Sequence, residues 1–204
     1  MFQPITDPMQ IGDTKLQKIL RKMYIKSDRM RTLPLPSAKK IQMLGKQLRT
    51  ARDAGIHKAI KLACEAIIES LSRFYSVSSP RVVVKNSPRP HDDDLGAEKH
   101  GDYDSNKRIR IWMLTAKRKK VVAYETMLGI LLHEFCHHLD VSNFLLPHSP
   151  HTRGFYERCD RLYRRVLGQR YVPLVWVPIE GGRFYWNINA TRLKREGRRG
   201  KKKK

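Results

Sequence analysis

The apolar residues in the first third of the chain recur with the spacing of amphipathic helices. In the first segment they are Leu16, Ile19, Leu20 and Met23, and the breaker sequence LPLPS follows. Ser37 then suits the N-cap of a long helix that runs towards Tyr75. Gly45 and Gly55 are the positions where this helix can be interrupted. Its later half has an apolar stripe wide enough to pack on a sheet.

Alternating and β-branched patterns predict strands in the middle of the chain and a hairpin near its end. RVVVK at 81–85 is short and β-branched, and KRIRIWML at 107–114 alternates charged with apolar residues. The polar, acidic stretch HDDDLGAEKHGDYDSN between them is predicted to be an exposed loop. YVPLVWVPIEGGRFYWNIN has aromatic and β-branched runs around Gly181 and Gly182, which predicts a β-hairpin.

Two further helices are predicted between the second strand and the hairpin. From 121 to 140 the apolar positions follow the i, i+3, i+4, i+7 rule, and four apolar residues between 155 and 166 share one face. This order of helices and strands predicts an α+β fold. We expect a helical region over residues 1–75, a core over 76–170, the hairpin over 171–190 and a disordered basic tail over 191–204.

The composition indicates one folded domain with an acidic partner. A chain of 204 residues can bury a sizeable core, and its formal net charge of +23 favours contact with an acidic polymer, most often nucleic acid. No stretch approaches the roughly 18 consecutive apolar residues of a membrane helix, and MFQPITDPMQ lacks the layout of a signal peptide. We therefore expect a cytoplasmic protein without a membrane partner. Cys64, Cys136 and Cys159 are expected to be reduced core thiols.

The sequence HEFCHHLD at 133–140 places ionisable groups inside an otherwise apolar helix. On a helix His133 and His137 lie on one face, so both imidazoles can bind one metal ion. Glu134 is rotated by about 100° from His133 and can take a proton from metal-held water without being a ligand itself. Zinc hydrolases use this arrangement to drive the attack of water on a carbonyl. Glu134 is therefore the predicted catalytic residue, and Zn²⁺ is the predicted cofactor.

A catalytic zinc site requires a third protein ligand. The extended pattern H-E-x-x-H-x-x-G-x-x-H fails here, because Asp140 replaces its glycine and Asn143 its last histidine. The candidates are His148, His151 and Glu157. We favour His151, because Phe155 at i+4 starts the apolar face of the second helix and would direct the imidazole towards the first.

Three segments together resemble a known group of enzymes: GDYDSNKRIRIWML, then LLHEFCHHLD, then HTRGFY. This order of a G-x-Y turn, a strand, H-E-x-x-H and a later histidine four residues before an aromatic resembles the compact SprT, WLM and YgjP-like zinc metallopeptidases. The resemblance covers roughly residues 80 to 167 and implies that His151 is the third ligand. It also implies a zincin-like fold, with a small antiparallel sheet between a long N-terminal helix and the active-site helix, and a ligand-bearing helix after it.

Other residues near the motif have more than one interpretation. His138 is rotated away from the metal and is expected at the surface or beside a ligand. Tyr103 and Tyr124 are candidates for stabilising an oxyanion. Gly129, one turn before His133, is expected to leave room over the metal.

The basic residues late in the chain are predicted to form a nucleic-acid footprint. They are Arg158, Arg161, Arg164 and Arg165 of the second helix, together with the tail from Arg192 to Lys204. Trp176, Tyr185 and Trp186 can stack on bases, but we favour a role in the core of the hairpin.

Two functions from different classes follow. The first is a zinc metallopeptidase that hydrolyses peptide bonds on or near nucleic acid, with zinc held by His133, His137 and His151. The second is a nucleic-acid-binding protein whose zinc is structural or vestigial, in which a fourth ligand such as His148 closes the coordination.

Overall fold

A computed structural model describes residues 14–92, 97–179 and 183–200. Its helices are α1 (Lys15–Arg29), α2 (Ala38–Asp53), α3 (His57–Phe74), α4 (Tyr124–Ser142), α5 (Arg153–Leu167) and α6 (Ile188–Gly200). Its strands are β1 (Arg81–Pro88), β2 (His91–Asp92), β3 (Ala97–Glu98), β4 (Gly101–Asp104), β5 (Arg108–Leu114), β6 (Trp176–Ile179) and β7 (Arg183–Trp186). The mixture of helices and strands confirms the predicted α+β class.

The main sheet has three strands in the order β1-β5-β4. β5 pairs antiparallel with β4 and parallel with β1, where Val82 lies opposite Ile109. The predicted all-antiparallel sheet is therefore wrong. The parallel pair arises because β4 runs back along the outer edge, and β5 then turns to lie between β4 and β1.

The core lies on one face of this sheet. Ile109, Ile111 and Met113 of β5 are buried, while the residues between them are half-buried, as the alternating pattern predicts. α3 packs on β1, and α4 packs on β4 and β5. α4 also contacts α5, so the helix with the H-E-x-x-H sequence is held between the sheet and α5.

The predicted long N-terminal helix is divided into α2 and α3, at one of the two glycines where an interruption was predicted. The break falls at Gly55, whose φ of 67° is left-handed and suits a residue without a Cβ. Gly45 does not interrupt α2. Instead it allows close packing on α5, because a Cβ there would stand 2.7 Å from Cγ1 of Val166.

Part of the stretch predicted to be an acidic loop forms strands. Asp102 and Asp104 of β4 lie opposite Arg110 and Arg108 of β5 and form ion pairs with them at 2.6 and 2.7 Å. These cross-strand pairs stabilise a polar strand that has no apolar alternation of its own. Residues 93–96 lie outside the described part of the chain.

Arginines of α5 donate hydrogen bonds to backbone carbonyls at the end of α1 and in the segment that follows it. Arg158 donates to the carbonyl of Ser27 at 3.2 Å, Arg161 to that of Arg31 at 3.0 Å and Arg165 to that of Pro36 at 2.8 Å. Arg164 pairs with Asp160. These guanidiniums bind the end of α1 and the residues that follow it, and the nucleic-acid footprint predicted for α5 stays a prediction.

The C-terminal hairpin is confirmed, with β6 and β7 antiparallel and Trp176 opposite Trp186. The disordered tail predicted from residue 191 is wrong as far as Gly200, since α6 covers that stretch. Thr191 is buried and accepts hydrogen bonds from the Val175 amide and the Trp186 indole. Arg195 pairs with Asp160 of α5 at 2.8 Å. These contacts attach α6 to the hairpin and to α5. Residues 201–204 lie outside the described part of the chain.

The three cysteines are free thiols in the structure, as predicted, with Cys64 and Cys136 buried and Cys159 half-buried. Within the described residues, none of the helices has the length and hydropathy needed to cross a bilayer.

Candidate metal centre

α4 presents His133 and His137 one helical turn apart on the same face. Their Nε2 atoms lie 3.2 Å from each other. The apolar residues of α4 occupy the rest of its surface and pack in the core, so the helix is held in one orientation. The i, i+4 spacing and this packing together direct both imidazoles to one point.

His151 reaches the same point from the segment before α5. Its Nε2 atom lies 3.1 Å from that of His133 and 3.0 Å from that of His137. The next residue, Thr152, is the N-cap of α5: its Oγ1 accepts from the Phe155 amide at 3.1 Å and lies 2.9 Å from Oγ of Ser27. The position of His151 is thus fixed by a buried helix cap.

The three nitrogens have the spacing that a tetrahedral metal requires. Ligand nitrogens about 2.05 Å from a zinc ion in tetrahedral geometry are about 3.3 Å apart. The observed separations are 3.0 to 3.2 Å. In the part of the chain that the structure describes, His133, His137 and His151 are the one group of three such side chains able to hold a metal ion. The donor set of three imidazoles suits zinc.

Burial keeps these imidazoles neutral. The pKa of His133 falls to about 3, first because burial disfavours the charged ring and second because of His151. Burial also lowers the pKa of His137 and that of His151. The ring of Phe155 packs against all three, with centroids 4.5 to 5.0 Å away. Neutral imidazole is the form that binds metals, so the cluster is ready to coordinate one.

Glu134 lies beside this group, under the backbone of β4. Its side chain is buried, and its Oε1 atom is 3.2 Å from the position that a Cβ on Gly101 would take. The pKa of Glu134 is raised to about 8, first by burial and second by the charge of Asp102, while the charge of Lys99 opposes the rise. A carboxyl with this pKa next to three convergent imidazoles has the properties of an acid–base group.

A buried chain of hydrogen bonds determines the protonation of His137. Oγ of Ser149 donates to Oδ2 of Asp140 at 2.9 Å, and Asp140 forms an ion pair with Arg158 at 2.7 Å. The hydroxyl proton of Ser149 is therefore used in the hydrogen bond to the Asp140 carboxylate. The contact of 2.6 Å between Ser149 Oγ and Nδ1 of His137 must then be donated by the ring. This leaves a lone pair on Nε2, the atom that faces the other histidines.

Ser149 and Asp140 were not predicted to be part of the site. Ser149 has φ of 36°, a left-handed conformation that non-glycine residues adopt mainly where surrounding contacts hold them. The sequence could have indicated a role for Asp140, because a carboxylate inside an apolar helix needs a buried partner. Ser149 had none, since its role depends on how the loop folds back.

The remaining candidates from the sequence lie elsewhere. His148 is exposed, and Glu157 accepts a hydrogen bond from the indole of Trp176 at 3.1 Å, so neither joins the three histidines. His138 is fully buried, contacting the Ser78 carbonyl at 2.8 Å and the Tyr103 hydroxyl at 3.0 Å. It is thus not at the surface, and the Tyr103 hydroxyl is engaged with it.

Two further expectations concern α4. Tyr124 begins the helix and lies under the guanidinium of Arg49, with its hydroxyl near Gly45 on α2 and therefore away from the cluster. A Cβ on Gly129 would meet only Tyr163 of α5, at 3.9 Å. Gly129 therefore faces α5, and the room that it was expected to leave over the metal stays a prediction.

Comparison with known proteins finds no match: no family model, curated protein or solved structure corresponds to this chain. The resemblance to the SprT, WLM and YgjP-like metallopeptidases therefore stays a prediction from its three motifs. The assignment of function depends on the geometry of the site.

Proposed function

We propose that the protein is a zinc-dependent metallopeptidase of the zincin type, acting on or near nucleic acid. The observation that carries the proposal is the convergence of three half-buried, neutral imidazoles beside a buried carboxyl that is not one of them. His133, His137 and His151 would hold the zinc ion, which leaves a fourth position open. An open position is the mark of a catalytic rather than a structural zinc site.

Glu134 is the general base and acid in this proposal. A zinc ion held by these histidines would supply a water of lowered pKa, and its charge would lower the pKa of the nearby Glu134 carboxyl. Glu134 accepts the proton of the water and delivers it to the leaving amide nitrogen. Ser149 and Asp140 orient His137 throughout.

The location of β4 supports a peptide substrate. β4 is an edge strand of the main sheet, and at Gly101 it passes over the Glu134 carboxyl. An edge strand presents backbone N–H and C=O groups with which an extended peptide can pair. A peptide aligned there would bring an amide bond to the cluster.

The decisive experiment compares two variants of the purified full chain. Glu134→Gln should keep about one zinc per chain and lose hydrolysis of casein or of a nucleic-acid-bound protein, because the ligands remain and the base is gone. His137→Ala should lose both. Zinc is measured by elemental analysis and cleavage by gel electrophoresis.

The outcomes separate the two classes of function. Absence of zinc from carefully prepared wild-type protein would refute the proposal. If wild type and Glu134→Gln both hold zinc and neither cleaves, the chain is a nucleic-acid-binding protein with structural zinc.

A further inference from the structure

One side of α1 carries a row of cations. Five basic residues fall within a sector of about 80° when successive residues are rotated by 100°. They are Lys15, Lys18, Lys22, Lys26 and Arg29, and all five are exposed. Asp28, the one acidic residue of α1, lies on another side of the helix and pairs with Arg153. This basic row is about 21 Å long at 1.5 Å per residue.

A cleft opens along one flank of the basic row. It has a volume of about 410 Å³ and lies between α1, the start of α5 and β7. Its lining includes Tyr24, Asp28, Arg29, Arg31, Arg153 and Phe184. Arg29 belongs to both the row and the cleft, so the two form one surface. Three guanidiniums and a single carboxylate give the cleft a net positive charge.

We propose that this surface binds the phosphate backbone of nucleic acid, with the strand lying along the basic row and one phosphate in the cleft. Guanidiniums suit phosphate oxygens in a concave site, and lysines suit a backbone that is read without sequence preference. The proposal deepens the proposed function by placing its nucleic-acid contact. It does not depend on catalysis.

The arginines of α5 are already engaged. Arg158, Arg161 and Arg165 of α5 donate to backbone carbonyls inside the protein. The five side chains of the basic row are all exposed, and Lys26 donates to the Phe144 carbonyl at 2.6 Å.

An anionic membrane is the other polyanion that a basic helix can meet, and the apolar content of α1 argues against it. Leu16 and Ile19 are the apolar side chains of this helix that are largely exposed, at 60% and 42%. Two such side chains bury less apolar surface than one myristoyl chain, which by itself gives only marginal, reversible membrane binding. A cleft with arginine walls also has no counterpart on a flat lipid surface.

The surface lies close to the metal centre along the chain. The end of α1 docks on the start of α5, where a Cβ on Gly154 would stand 1.9 Å from the Ser27 carbonyl oxygen. Arg153 of the cleft is two residues beyond His151. A strand bound on the basic row would therefore hold its attached proteins beside Glu134 and β4.

The test measures binding of single-stranded and duplex oligonucleotides by fluorescence anisotropy at several salt concentrations, in a Glu134→Gln background. The triple variant Lys15→Gln, Lys18→Gln, Lys22→Gln should weaken binding at least about tenfold and make the slope of log affinity against log salt shallower by about 2 to 3 units. The matched control removes the same charge from exposed lysines of α2 and α3. It is Lys39→Gln, Lys46→Gln, Lys58→Gln, and it should change the slope by less than about one unit.

Equal effects of the two triple variants would refute the assignment to α1, as would phosphatidylserine vesicles that bind as tightly as the oligonucleotides. Glutamine is a good helix former, and circular dichroism of both variants checks that α1 persists. In the Glu134-containing protein, free-peptide hydrolysis by the α1 variant should equal that of wild type. If the α1 variant loses nucleic-acid binding and keeps hydrolysis, the result supports this surface alone. If the wild-type protein shows no hydrolysis, the result contradicts the proposed function alone.

Discussion

Ser149 decides which nitrogen of His137 carries the proton, although it does not face the cluster. Its hydroxyl proton goes to Asp140, so the hydroxyl can only accept from Nδ1 of His137. Partners of this kind orient a metal ligand and raise its basicity. The functional unit at the scale of single residues is therefore larger than the three histidines.

Ser149→Ala should weaken zinc binding by about 10- to 100-fold, because His137 loses the partner that fixes its ring and tautomer. Competition with a chromophoric chelator measures the affinity. Ser142→Ala is the matched control, since Ser142 contacts His138 at 3.4 Å and not the cluster. Unchanged zinc affinity in the Ser149 variant would show that the hydrogen bond has no such role.

The start of α5 is the element on which several parts of the molecule depend. Thr152 caps it, His151 precedes it, and the last turn of α1 lies directly on Gly154. Since Gly154 has no side chain, the carbonyls of α1 can approach the α5 backbone and reach Arg158. The basic row and the metal centre are thus joined through one helix terminus.

Gly154→Ala should lower the free energy of unfolding by about 1 to 3 kcal/mol, because the added methyl would overlap the Ser27 carbonyl. Gly129→Ala should raise it by about 0.5 to 1 kcal/mol, because the methyl meets only Tyr163 in a helix interior. Denaturant melts of the two variants measure both changes. Similar shifts in the two proteins would contradict this docking of α1.

At the scale of the whole molecule, the buried groups of the site oppose folding stability in the metal-free protein. The pKa of Glu134 is about 8 in the folded chain, against an ordinary value of 4.5. Between these pH values the unfolded chain releases a proton that the folded chain keeps. Stability from this group is therefore present at low pH and is lost as the pH rises towards 8.

After chelator treatment of both proteins, Glu134→Gln should have a larger free energy of unfolding than wild type. This margin should grow between pH 4.5 and 8, by up to about 1.4 kcal/mol per pH unit. Thermal melts across this range measure the margin. Added zinc should shrink it, because the metal charge favours the ionised carboxyl. Glu125→Gln is the control, because it removes an exposed carboxylate of α4 that lies outside the site. A margin independent of pH would contradict the raised pKa.

Several features could be predicted from the sequence because their cause is local. The period of 3.6 residues places His133 and His137 on one face of α4. The alternation in β5 determines that Ile109, Ile111 and Met113 are buried, and the aromatic and β-branched runs near the C-terminus form the antiparallel pair β6 and β7. The α+β class follows from the order of these elements.

Other features depend on partners that are distant in the sequence. The net charge is visible in the composition, but its distribution is not. Arg158 and Arg165 donate to carbonyls of α1 and of the segment between α1 and α2, while the five cations of the basic row are exposed. The polar β4 is a strand because Arg108 and Arg110 lie opposite its aspartates. Thr191 and Arg195 find partners that make the C-terminal segment a docked helix.

The sequence by itself determined the pair of histidines on α4, the neighbouring Glu134 and the basic character of the chain, because these follow from residue type and helical period. Only the tertiary structure decided that His151 joins the pair, that His148 and Glu157 do not, and that Ser149 and Asp140 support His137. The physical reason is that a ligand from a loop is placed by the packing and capping of the helix it precedes. That packing involves α1, more than a hundred residues earlier in the chain.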